Sequence, residues 1–327
     1  MAFSWGILGA GDIARRHMAP AMQNVAGHRL AAVMRRDAAE AKAFGQEFGV
    51  DRVYTSAGEL VGDPEVEAVY IATPPSSHAG LTALAAGAGK HVLCEKPVAT
   101  SVQEAEGMIE VCARHSVRLM ICHYQRFNLR HQQIRKWLQN GEIGRVVSVR
   151  VNFSSYSPSP AEPGVEAWRH SRAIAGGGPI MDLGSHCLDL LMYLCGPIET
   201  SAVLTDSLAY SSDVEDTATL LLRLSSGAQA TVTTHWSAWV PEPERSNAIE
   251  ILGTKGTILA YPLFSKDSSG GLFLDRASGR EDHSRGPGKK IHEEVIEHFR
   301  QAIKTGGPVL APAEDTVEGL RVILAGG

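Results

Sequence analysis

The sequence predicts an α/β protein in which a doubly wound parallel sheet is followed by an α+β domain with a large open, mostly antiparallel sheet. Three observations carry that expectation. Up to about residue 122, short apolar runs alternate with helix-period stretches, the pattern of strands joined by right-handed helical crossovers. The first apolar run leads directly into a glycine-rich turn. Beyond about Thr200, strand-like runs follow one another with only short turn signals between them, the texture of an antiparallel sheet. A chain of 327 residues is long enough for two such domains, expected at 1–122 and 123–327.

In the first domain, strands are expected at Ser4–Leu8, Arg29–Met34, Arg52–Tyr54, Ala68–Ala72, His91–Glu95 and Arg118–Cys122. Helix-period stretches such as Ala38–Phe48 and Ser101–His115 lie between them, and Ser101 with Glu104 has the spacing of a capping box. After His123 a helix is expected around Arg130–Asn140, then a strand over Val146–Tyr156. A loop rich in Pro, Ser and Gly, Ser157–Gly178, leads into one strongly apolar helix. The runs TATLLLRL, AQATVTTHW, NAIEILG and GTILAY read as strands, and a helical pair, Glu293–Lys304 and Asp315–Leu324, closes the chain. The sequence contains no internal repeat and no low-complexity segment.

Composition excludes several classes of protein. Hydrophobic residues at 44% and charged residues at 20% rule out a disordered chain or a coiled coil. Lys+Arg 31 against Asp+Glu 36 leaves a net charge of −5, so bulk charge offers no nucleic-acid surface. No uncharged apolar run reaches the roughly 18 residues of a membrane helix. The opening MAFSWGILGAG lacks the basic segment of a signal peptide. Cys94, Cys112, Cys122, Cys187 and Cys195 form no Cys-x-x-Cys pair and read as reduced thiols of a cytoplasmic protein.

The glycine-rich turn is Gly9-Ala10-Gly11-Asp12-Ile13-Ala14, placed between a strand and a helix. This is G-x-G-x-x-A in the context a dinucleotide fingerprint requires. Gly9 permits the tight turn, Gly11 lets a pyrophosphate approach the backbone, and Ala14 allows close helix packing. The phosphates then meet the positive end of the following helix. A glycine turn can also be only a turn, but its place at the first strand–helix junction favours the cofactor. At the end of the second strand an acid would bind the ribose hydroxyl of NAD, whereas arginine accommodates the 2′-phosphate of NADP. The chain carries Arg35 and Arg36 there, two guanidinium forks suited to a phosphate. The bland alternative is a solvated pair balanced by Asp37. The expected cofactor is NADP, with NAD also open.

The chemistry is expected at two places. Strand five ends in Cys94-Glu95-Lys96-Pro97, at the carboxyl edge where open α/β sheets bind ligands. A lone lysine is usually solvated surface, so Lys96 gains weight only from company. The stretch GGGPIMDLGSHCLDLLMYLCG begins a helix with Pro179 in its first turn. Its side chains are almost all apolar, yet Asp182 and His186 stand at i, i+4 and Asp189 adds a third polar group. Buried without partners, such groups cost on the order of 1–3 kcal/mol each. They must either satisfy one another inside the core or face a cleft. His292-Glu293 with His298 looks like a metalloprotease string, but the histidines are six apart in sequence, so no metal site is expected.

Taken together, GILGAGDIA, AVYIATPPSSH, GKHVLCEKP, the YQRF turn, GEIGRV, WRH, GGGPIMDLGSHCLDLLMYLCG and EILGTKGTI give the chain its likeness to one family. Almost from end to end it resembles the glucose–fructose oxidoreductase / inositol dehydrogenase / rhizopine catabolism family (Gfo/Idh/MocA). The resemblance implies a Rossmann domain, a C-terminal α/β domain with an open sheet, and an active site between them. It carries the family's catalytic lysine, aspartate and histidine onto Lys96, Asp182 and His186. It also implies a cofactor set of Gly9, Gly11, Asp12, Ile13, Arg35 and Arg36, joined by Thr73, Pro74, His78, Glu95 and Lys96. Two departures stand out. Many members that prefer NAD carry an aspartate where this chain has Arg35, and the last helix stops early at Leu324-Ala325-Gly326-Gly327, as a truncated form would.

The expected function is an NADP-preferring oxidoreductase that exchanges hydride with a sugar, polyol or related carbonyl compound. His186 is the candidate general acid/base, Asp182 orients it and binds a second hydroxyl, and Lys96 hydrogen-bonds the reacting oxygen. Lys96 is also an alternative proton carrier, and the sequence leaves that choice open. Tyr156, Trp168 and Arg169 are candidate substrate walls, with further specificity from the Ser154–Arg172 loop and from the strands around His235-Trp236. Two rivals are a glycosidase that uses tightly bound NAD transiently and a dinucleotide sensor without turnover. Arg35 and Arg36 speak against the first, and the complete Lys96/Asp182/His186 set against the second. An uncovered face of the second sheet is expected to pair with another subunit in a homodimer or homotetramer.

Overall fold

The computed structural model describes residues 2–156, 167–240 and 246–325. They form two compact units, one of residues 1–123 with 292–317, the other of residues 124–291 with 318–327. The first boundary falls where the texture of the sequence changes. The expectation of two consecutive blocks is corrected at the C-terminus, because residues 292–317 return to the first unit. The reason lies in the packing around Trp5. Its indole donates to Nδ1 of His28 at 2.9 Å, and His28 Nε2 meets Glu297 at 2.9 Å. The Phe299 ring lies 5.8 Å from the indole. No periodicity in the N-terminal half announces that this cover comes from the far end of the chain.

The first unit holds a six-stranded parallel sheet of β1 (Phe3–Leu8), β2 (His28–Met34), β3 (Arg52–Tyr54), β4 (Ala68–Ile71), β5 (His91–Cys94) and β6 (Leu119–Ile121). Their order is β3-β2-β1-β4-β5-β6, so the direction of winding switches between β1 and β4. Ligands of doubly wound sheets bind at that switch point. β4 is a continuous apolar run and β1 is buried from Ser4 to Leu8, because helices cover both faces of such a sheet. The capping box forms with a shift of one residue. Ser101 Oγ accepts from the Glu104 amide at 3.2 Å, while the Glu104 carboxylate takes the amide of Thr100 at 3.0 Å instead of that of Ser101.

The second unit holds an eight-stranded sheet of β7 (Val146–Ser154), β8 (Ile198–Asp206), β9 (Thr217–Leu224), β10 (Gln229–His235), β11 (Ala248–Gly253), β12 (Gly256–Tyr261), β13 (Gly271–Arg276) and β14 (Gly279–Asp282). Their order is β14-β13-β12-β11-β7-β10-β9-β8, and all neighbours are antiparallel except β7 and β10. Strands β8, β13 and β14 went unanticipated, because their mixed composition hides the alternation. One face of this sheet is core, with Val149, Val151, Leu220, Val232 and Ile249 buried, and the Ser185–Cys195 helix lies against β7. The other face carries Ala202, Leu204, Thr219 and Leu221 in register. The loop expected over Ser157–Gly178 lies outside the described residues at 157–166, as do the closing residues 326–327.

Candidate active site

In the first unit the glycine turn leaves a cradle at the switch point. Gly9 sits at φ +95°, and a Cβ there would stand 2.7 Å from the Thr73 methyl and 2.8 Å from the carbonyl carbon of Ala72. A side chain is therefore excluded by both conformation and space. At Gly11 the situation is opposite, since an added Cβ would meet nothing nearer than the Gly9 oxygen at 4.0 Å. That open side is where the fingerprint needs a pyrophosphate to approach, so the residues fit a dinucleotide. The helix that follows opens with a π turn, Ala14–Met18, before Ala19–Asn24. Asp12 and Ile13 are exposed at its start.

Arg35 reaches back to this turn. Its Nη1 donates to the carbonyl oxygen of Ala10 at 3.1 Å, and its other terminal nitrogen pairs with Glu40. Arg36 is exposed, and Asp37 caps the Ala38–Phe48 helix by accepting from the Glu40 amide at 2.9 Å. Across the switch point, Ser77 Oγ donates to Thr73 and sits 2.7 Å from the Pro74 carbonyl, fixing the turn after β4. His78 departs from the cofactor role assigned to it. It is fully buried, with Nε2 2.8 Å from the Thr73 carbonyl and Nδ1 3.0 Å from that of Pro97. It braces the Thr73 turn against the Lys96-Pro97 turn and offers a ligand no surface.

Glu95 works beneath Lys96. The Tyr70 hydroxyl donates to its carboxylate, and the Lys96 amide donates to the same group at 3.2 Å. Burial lifts the Glu95 carboxyl above the usual glutamate value, with Tyr70 and the charge of Lys96 pulling the other way. Lys96 itself is half-buried.

In the second unit the GGGP segment does not start one uniform helix. A π turn over Ile180–Gly184 precedes the Ser185–Cys195 α-helix, and π turns recur at functional positions. Its beginning is held by Glu215, a residue sequence reasoning passed over. The buried Glu215 carboxylate accepts from the amides of Gly178 at 2.7 Å and Ile180 at 3.2 Å. A Cβ on Gly178 would lie 1.9 Å from the Glu215 carbonyl oxygen, which explains the glycine. Arg172 approaches the same carboxylate at 3.6 Å. The available signal was the Glu215-Asp216 pair at the head of an apolar strand. Asp216, the second acid, gathers the amides of Leu208, Ala209 and Tyr210.

The polar stripe on this helix then divides. Asp189 is internal, held by Arg126 through contacts of 2.6 and 3.1 Å, with the guanidinium also 5.2 Å from the Tyr193 ring. Asp182 is half-buried, and Arg169 Nη1 lies 3.6 Å from its carboxylate. The Arg169 guanidinium stacks 4.7 Å over Trp168, so three candidate residues gather at one spot. His186 is buried, its ring flanked by Tyr124 at 5.5 Å and Phe264 at 5.2 Å between centroids. Tyr156 is 63% exposed. Trp236 is core, packed with Leu183 and Val214, so it is not a specificity wall. His235 bonds Ser154 Oγ at 2.8 Å. The middle of the Ser154–Arg172 loop, 157–166, lies outside the described residues.

A cradle for a dinucleotide on one unit, with Asp182 and His186 at the start of an apolar helix on the other, fits the class of nicotinamide-dependent oxidoreductases. Comparison with known proteins gives the family. Residues 3–123 match the oxidoreductase family model with an NAD-binding Rossmann fold, and residues 131–259 match the GFO/IDH/MocA C-terminal domain. The chain is 32% identical to a 1,5-anhydro-D-fructose reductase of Ensifer adhaerens over 98% of its own length and 94% of that protein. It is 31% identical to a D-xylose 1-dehydrogenase (NADP(+)) of Haloferax volcanii, again covering 98% and 94%. Among solved structures, an aldose-aldose oxidoreductase from Caulobacter crescentus superposes with a TM-score of 0.89 at 28% identity, over 99% of this chain and 96% of the other. The chain belongs to the Gfo/Idh/MocA family and is an NAD(P)-dependent oxidoreductase of the dehydrogenase/reductase type. Among the described residues, no helix is long and apolar enough to cross a membrane.

Proposed function

We propose that the protein is an NADP-preferring oxidoreductase acting on a sugar, polyol or related carbonyl compound, with Lys96, Asp182 and His186 as its catalytic residues. One observation carries the cofactor preference: Arg35 is anchored on the Ala10 carbonyl within the glycine turn. Its guanidinium stands at the strand end where a 2′-phosphate is recognised. The NADP-dependent name of the xylose dehydrogenase relative supports the same reading, and the names of both relatives support a sugar substrate.

Bound nicotinamide supplies the hydride acceptor or donor at its C4. The protein supplies orientation and proton management. In oxidation, His186 takes the proton from the substrate hydroxyl while the adjoining carbon gives up its hydride, and in reduction it returns that proton. Lys96 Nζ donates a hydrogen bond to the reacting oxygen. Asp182, tethered by Arg169, orients the imidazole and receives a neighbouring hydroxyl. Trp168 and Arg169 form one wall for the sugar, while Tyr156 remains a substrate contact on sequence grounds. The five free thiols agree with a cytoplasmic setting.

The test is turnover on a carbohydrate panel, followed by nicotinamide absorbance with NADP and with NAD. On the best substrate, His186→Ala is expected to lose about 10²–10⁴-fold in kcat with cofactor affinity nearly unchanged. Lys96→Met is expected to lose turnover as well, since its thioether cannot donate to the reacting oxygen. Near-native turnover in either variant removes that residue from the mechanism. Bond cleavage without net absorbance change would instead identify the glycosidase chemistry.

A further inference from the structure

We propose that Glu40 is a cofactor-specificity residue: its carboxylate holds the Arg35 guanidinium and competes for it with the 2′-phosphate of NADP. The inference rests on the cofactor reading above and deepens it. Both terminal nitrogens of Arg35 are engaged, one by the Ala10 carbonyl oxygen at 3.1 Å and the other by Glu40. The Ala10 contact belongs to the glycine turn that the dinucleotide needs intact. A phosphate that takes the Nη2 end of Arg35 therefore competes with Glu40 for it.

The other acids around this strand end are committed elsewhere. Asp37 caps the Ala38–Phe48 helix, and its side chain accepts from the amide of Glu40. Asp12 pairs with Arg16 at 2.6 Å, and Glu47 with Arg15 at 2.8 Å. Glu40 is the acid that the fold turns onto the phosphate-reading arginine. It stands in the first turn of the helix after β2, five residues beyond the position that carries the acid in NAD-binding sites.

The consequence is a moderated preference. NAD brings no phosphate to this place and leaves the Arg35–Glu40 pair undisturbed. NADP brings its phosphate against the Glu40 carboxylate, competing with it for the guanidinium and enduring its repulsion. The pair is partly exposed, with 35% of the Arg35 and 53% of the Glu40 side chain accessible, so salt screens the effect.

Equilibrium titration of the full chain with NADP and with NAD tests this without any substrate. Glu40→Gln is expected to tighten NADP about 3–20-fold at low salt, to leave NAD within about twofold, and to lose much of the gain at high salt. In an Arg35→Gln background the same change is expected to give no gain, because Glu40 acts through Arg35. An unchanged NADP-to-NAD ratio in Glu40→Gln, or a gain that survives in the Arg35→Gln background, overturns the role of Glu40 while leaving the cofactor reading intact. Failure of the wild type to bind either dinucleotide overturns the cofactor reading itself. Thermal melting of each variant separates lost binding from lost folding.

Discussion

At the scale of the residue, Glu215 shows how one side chain can govern the position of others. Its carboxylate meets the amides of Gly178 and Ile180 just before the turn that carries Asp182, and His186 follows one turn later. Glu215→Ala leaves those two buried donors without their acceptor, at a cost of about 1–3 kcal/mol. The expected result is a lower melting temperature and a reduced kcat, with NADP and NAD affinities unchanged because the glycine turn is untouched. Glu215→Gln keeps an acceptor oxygen and is expected to restore most of both. An alanine variant that melts and turns over like wild type would show that the helix start needs no acceptor. Arg126 and Asp189 illustrate the complementary case. Both are buried and hold each other, so Asp189 is part of the core although it shares a helix with the candidate catalytic pair.

At the scale of the element, the Leu129–Gln139 helix carries a proton-linked liability. His131 lies fully buried within it, and burial first, then the charge of Arg130, holds its pKa at about 3. In the unfolded chain the same imidazole titrates near the ordinary value of about 6.5. Between those two values the unfolded state binds a proton that the folded state refuses. Stability is therefore complete above about pH 6.5 and declines as pH falls below it, by up to about 1.4 kcal/mol per pH unit from this group. His28 and His78 are depressed in the same direction, also chiefly by burial, and add to the slope. Urea unfolding between about pH 5 and 6.5, the upper part of that range, measures it. His131→Gln is expected to lower the pH slope by about one proton, and an identical slope in the variant would exclude His131 as a contributor.

At the scale of the whole molecule, the eight-stranded sheet presents a face that the described residues leave accessible. Leu204 is 68% exposed and Leu221 57% exposed, on neighbouring strands and on the same side. The opposite face of β9 is core, with Ala218, Leu220, Leu222 and Leu224 buried, while Val203 of β8 is half-buried. We propose that this face pairs with a second copy of the chain, giving a homodimer or homotetramer. Light scattering at micromolar concentration is expected to return at least twice the mass of one chain, and Leu204→Lys with Leu221→Lys is expected to shift it toward the monomer. A wild-type monomer at every concentration would mean that the face stays solvated.

The parallel sheet was readable almost residue by residue, because strands covered on both faces are continuous apolar runs and the helices between them follow a different period. Asp37 and Gly49 bound the Ala38–Phe48 helix for the same local reason, a side-chain cap at one end and a left-handed glycine at the other. The glycine turn and the Asp182–His186 spacing were local signals too, whereas Lys96 took its expected role from the family resemblance. The mixed strands β8, β13 and β14 were not, since their pairing is decided by neighbours distant in sequence. Tertiary structure alone decided that residues 292–317 return to cover Trp5 and His28, that His78 braces two turns, and that Trp236 fills the core. It alone turned Glu215 onto the start of the helix and Glu40 onto Arg35. Local pattern determines which elements form, whereas a carboxylate's function depends on the donor it meets, and that donor lies as little as five residues away for Glu40 and thirty-seven for Glu215.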